Sequence, residues 1–124
     1  METILFLEGS KVFNHENYVY DEMDTPRDMF NTIVLDNLYV EYRKLATLNF
    51  INADYIHIRT TGIMVEKLNI LINLFESLEY IPKKVIFYSE RSVMALLGLA
   101  RDLKSKGTEF YYLEDGELVK IDWI

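Results

Sequence analysis

Two short polar stretches carry the residue types most able to hold a ligand. Arg59-Thr60-Thr61-Gly62 and Ser89-Glu90-Arg91-Ser92 each follow a strand-like run and precede a helix-like one. Hydroxyls and backbone N–H groups at a helix start, with Arg59 and Arg91 for positive charge, suit a phosphate or carboxylate. The residues assigned to such a site are Arg59, Thr60, Thr61, Gly62, Ser89 and Arg91. The competing reading is structural: Thr61 and Ser89 cap helices and Gly62 makes a tight turn. Neither GxxxxGK[ST] nor GxGxxG is present, so the common phosphate fingerprints do not decide the matter.

Catalytic constellations are sparse. His57 sits beside Arg59 on one face of a strand-like DYIHIR, but a general base needs an orienting partner as well. His15 is the other histidine, no HxH or HExxH spacing occurs, and no cysteine is present. A metal site is therefore not expected, nor a cofactor. No GxSxG marks a nucleophile elbow. The expectation is a non-enzymatic protein.

The elements that must position these residues follow from hydrophobic period. Residues 3–7, 32–36, 54–59 and 84–89 are strand-like, with 11–20 as a further short strand or hairpin. Helical spacing of apolar residues runs over 38–51, 63–78 and 92–107, with Gly107 as the residue that ends the last helix. Asp115-Gly116 predicts a two-residue turn that places Phe110 opposite Ile121 and Tyr112 opposite Val119. Gly98 inside the last helix reads as a point of close approach to a neighbouring element. The sum is a single α/β domain over residues 1–124. Its expected architecture is a mixed, mostly parallel sheet flanked by three helices, with antiparallel N-terminal strands and a C-terminal β-hairpin.

One strand breaks the usual pattern. Central parallel strands are apolar on both faces, yet Tyr55, His57 and Arg59 share a face of 54–59. That strand is expected at an edge, or with one face turned to solvent, a ligand or a partner. Tyr55 and His57, with Tyr18 and Tyr20 from an acidic and aromatic segment, make up the expected interaction surface.

Composition narrows the partners. The 124 residues carry a formal charge of −7 and are 50% hydrophobic. Nucleic acid and anionic membranes are not expected partners, because both need clustered Lys and Arg. A protein partner or a homodimer is expected, in the cytoplasm, with no signal peptide and no membrane span. The acids form two groups, Glu16 to Asp28 and Glu109 to Asp122, which leaves open an acidic mimic of nucleic acid.

The order DYIHIRTTGIMVEKLNILINLF, then KKVIFYSERSVMALLGLARDL, resembles the core of STAS domains, which are small regulatory α/β modules. The resemblance spans about residues 54–103 and implies a phosphorylatable Thr60 or Thr61. Arg59 stands where that family carries an acid, and the chain adds a strand before its first helix and a terminal hairpin. The function expected is a regulatory or protein-interaction module, with a small anion- or nucleotide-binding domain as the alternative.

Overall fold

The computed structural model describes residues 1–8, 23, 26–35, 49–59, 69, 72–73, 75–87 and 89–124. Its strands are Glu2–Glu8 (β1), Phe30–Leu35 (β2), Tyr55–Arg59 (β3), Lys84–Phe87 (β4), Glu109–Glu114 (β5) and Glu117–Lys120 (β6). They form one sheet in the order β2-β1-β3-β4-β5-β6. The first five are parallel, and β6 returns antiparallel along β5.

The N-terminal strands are therefore not antiparallel as expected. Glu2 to Leu7 align in parallel with Phe30 to Leu35. The reason is chain length: residues 9–29 separate the two strands, more than the dozen or so that a parallel crossover needs. The strand or hairpin expected over 11–20 lies outside the described residues.

Among the described residues two helices are delimited rather than three, Glu90–Ala95 (α1) and Leu97–Ser105 (α2). Both lie in the stretch expected as the last helix, which begins two residues earlier than its apolar pattern suggested. It breaks at Leu96 (φ −115°, ψ 22°), whose N–H bonds to Val93 O at 3.0 Å in a tighter, three-residue turn. Residues 49–51 and the described positions between 69 and 76 are also helical. The rest of the helices expected over 38–51 and 63–78 lies outside the described residues. No helix among those described is long and apolar enough to cross a membrane.

Alternation along the strands splits the sheet into two faces. On one, Leu5, Leu7, Ile56, Ile58, Val85, Phe87 and Phe110 pack under Phe75 and the Val93, Leu96, Ala100, Leu103 stripe of the helices. On the other, Ile4, Phe6, Phe30, Tyr55 and Ile86 form a second buried cluster. The sheet is thus apolar on both sides, as parallel strands require.

The ends of α2 and of the hairpin follow local chemistry. Gly107 at φ 106° donates to Lys104 O at 3.0 Å, and Thr108 N donates to Leu103 O at 3.1 Å, the paired bonds of a Schellman cap. Asp115 and Gly116 at φ 51° and 81° make the two-residue turn with both central φ positive. The resulting register sets Tyr112 opposite Val119 and brings Ile121 N to Phe110 O at 2.9 Å, as the sequence predicted.

Thr108 then ties this corner to the sheet, because its buried hydroxyl donates to Pro82 O at 2.7 Å. Replacing it with the near-isosteric valine leaves that carbonyl without its donor. Thr108→Val should lower unfolding free energy by about 1–2 kcal/mol in urea titration with an unchanged slope; an unaltered midpoint would show that the bond contributes nothing net.

Candidate functional site

β3 is an interior strand, flanked by β1 and β4. The expectation of an edge strand with an open polar face is therefore corrected. Tyr55 is 9% exposed and His57 is fully buried. Register sets His57 between Phe6 and Ile86, with its ring 5.2 Å from that of Phe6. Neither residue offers an external interaction surface. Tyr18 and Tyr20 lie outside the described residues.

The carboxyl edge of the sheet is where the expected ligand site falls. The first connection leads from β1 to β2 on one side of β1, and the later strands build outward on its other side. Order 2-1-3-4-5 is one of the two common doubly wound arrangements, and ligands bind outside the strand ends where the order reverses. Here that point lies between β1 and β3, where Glu8 aligns with Arg59. The adjacent β4 ends at Phe87, opposite Ile58, so Ser89 and Arg91 follow on the same edge as Arg59. Ser89 is the N-cap of α1 but makes no side-chain capping bond. Thr60, Thr61 and Gly62 lie outside the described residues. Of the expected set, Arg59, Ser89 and Arg91 are thus brought to one edge.

The opposite, amino edge carries a charged network that the sequence reading missed. The Tyr55 hydroxyl donates to the Glu2 carboxylate, which also meets Lys83 Nζ at 3.3 Å. Lys84 Nζ lies 5.9 Å from the ring centre of Tyr55 and 5.3 Å from that of Tyr111. Tyr111 Oη donates to Glu109 at 2.6 Å, and Lys120 Nζ approaches the same carboxylate at 3.6 Å. Lys120 and Tyr111 thus supply Glu109 with partners. The signal was present as Glu109 and Tyr111 at strand spacing, with Lys83 and Lys84 at the start of β4.

These contacts shift several protonation equilibria. The Tyr55 hydroxyl holds Glu2 below the usual carboxylate range, with Lys83 and Lys84 assisting against partial burial. Glu109 is lowered chiefly by the Tyr111 hydroxyl. Burial, then donation to Glu109, pushes Tyr111 up to about 12. Tyr55 is raised in the same way, by burial first and by Glu2 second. Apart from this network, burial also raises Tyr80. Among the described residues none of these groups belongs to a metal-ligating cluster, and the network reads as an edge clasp.

Compared with protein-family models, curated proteins and solved structures, the chain shows no significant match, and its likeness to STAS domains rests on residue order alone.

The clasp has a defined pH signature. A depressed carboxylate stabilises the fold above its unfolded pKa, and that contribution is lost as pH falls through the folded value. A raised tyrosine stabilises below its unfolded pKa of about 10, and here the contribution is lost between pH 10 and about 12. Tyr111→Phe should return the Glu109 titration, followed by carboxyl carbon NMR, toward the ordinary range and flatten the alkaline loss of stability. An unmoved Glu109 would assign its shift to Lys120 instead.

Proposed function

We propose that this chain is a small regulatory binding domain that takes an anionic ligand, such as a phosphate-bearing metabolite, at the carboxyl edge of its sheet. The observation that supports this reading is the reversal of strand order at β1, since sheets wound in this order bind ligands beyond the strand ends at that point. Arg59 stands at the end of β3, and Arg91 lies just beyond the neighbouring β4. Arginine suits bidentate recognition of phosphate or carboxylate, and these two belong to neighbouring segments at that edge. Catalysis is not part of the proposal, because the described residues offer no base with an orienting partner at that edge.

Reading the chain as a protein-contact module loses its main motive once Tyr55 and His57 are buried. An acidic mimic of nucleic acid would need its two acidic groups on one surface, and most of the first group lies outside the described residues.

The test is thermal denaturation with inorganic phosphate, nucleoside mono-, di- and triphosphates and dicarboxylates. A ligand at 100 times its Kd adds about 2.7 kcal/mol, or roughly 10 °C in Tm for a domain of this size. Combining Arg59→Gln with Arg91→Gln should abolish the shift. No shift from any member of the panel, or an equal shift in the double variant, would remove the proposal.

A further inference from the structure

A concavity lies away from the carboxyl edge, where the segment 75–81 that leads into β4 meets α2. It is a half-open groove of about 650 Å³, within the range of small-molecule pockets. Its apolar side includes Phe75 and Leu103, both buried in the core, and the half-buried Leu78 and Leu99. Its charged side is acidic. Asp102 is paired with Lys106 at 3.2 Å, whereas Glu76 and Glu79 have no ion-pair partner among the described residues.

One further observation marks the groove as more than a packing gap. Gly98 lines it, and the sequence reading assigned this glycine to close approach by a neighbouring element. That expectation is corrected, since a Cβ built at Gly98 meets nothing within 4 Å and its φ is not in the left-handed region. Neither packing nor conformation requires glycine there, and its effect is to leave the wall of the groove open.

We propose that this groove binds a small organic cation with a flat apolar body, an arylalkylamine in chemical class. The body would lie over Gly98 against Leu99 and Phe75, and the ammonium would reach Glu76 and Glu79. This assignment is independent of the anion site, which lies at the other end of the strands and takes ligands of opposite charge.

Tryptamine is a suitable probe, with indole-3-acetate as the same ring carrying a negative charge. In amide NMR titrations tryptamine should saturate below about 1 mM and perturb residues 75–81 and 98–106, with indole-3-acetate at least about tenfold weaker. Gly98→Leu fills the groove and should weaken tryptamine by about tenfold or more without lowering Tm, because leucine favours helix over glycine. Glu76→Gln with Glu79→Gln, both on the surface, should erase the preference for the amine over the acid. Failure to saturate by about 10 mM, equal binding of the two probes, or unchanged binding in Gly98→Leu would each overturn the assignment.

Discussion

Asp54 fixes how the parallel strands line up. A parallel sheet has no tight turns between neighbours to set its register, so each strand arriving from a long crossover must be pinned by other means. Asp54 exchanges bonds with Thr3, its N–H donating to Thr3 O at 2.9 Å and its carboxylate accepting Thr3 N–H at 2.8 Å. Its carbonyl accepts Lys83 N–H at 2.8 Å and Lys84 N–H at 3.2 Å. One residue therefore holds the amino ends of β1, β3 and β4 together. The stitching continues outward, since Lys83 O accepts Glu109 N–H at 2.9 Å at the start of β5. Asn52, at φ 49°, turns the chain out of the helical residues 49–51 and delivers Asp54 to this place. Asparagine tolerates that conformation better than most residues.

The ion pairs that tie strand to strand gather at the amino edge as well. Glu2, Lys83, Lys84, Glu109 and Lys120 satisfy one another at the amino edge together with two tyrosine hydroxyls. Exposed pairs of this kind add little stability singly, and their value lies in covering the polar ends of the buried Tyr55 and the half-buried Tyr111. The same register explains His57. Once Asp54 aligns Phe6, His57 and Ile86 across three strands, the imidazole has no route to solvent.

Much of the architecture was legible because it is written locally. Asp115-Gly116 specifies its own turn, Gly107 its own helix end, and the apolar stripe Val93, Leu96, Ala100, Leu103 its own buried face. What failed was long-range. Strand period tells which residues share a face, but it does not tell which strand lies beside which. DYIHIR looked like an edge because its polar residues alternate. In the sheet, Tyr55 keeps only its hydroxyl end polar, through Glu2, and its ring lies edge-on to Phe30 at 5.6 Å. The parallel direction of β1 and β2 was hidden for the same reason, since no residue in either strand encodes the direction of its partner. Of the ligand site, Arg59, Ser89 and Arg91 could be followed to one edge. Thr60, Thr61 and Gly62 lie outside the described residues.

Glycine shows most plainly why a residue type does not carry its own explanation. Gly107 and Gly116 occupy positive φ, where a side chain would be strained, so conformation alone accounts for them. Gly98 has neither positive φ nor a neighbour against the position of its missing Cβ. In a helix such a glycine costs up to about 1 kcal/mol relative to alanine. It also sits two residues after the break at Leu96, where Val93, Leu96, Ala100 and Leu103 still hold both helices to the sheet. Packing at the buried face thus secures α2 whether or not residue 98 favours a helix. That leaves the outer face free to be shaped by something other than stability, and a bare backbone beside two carboxylates with no ion-pair partner among the described residues is the shape it has.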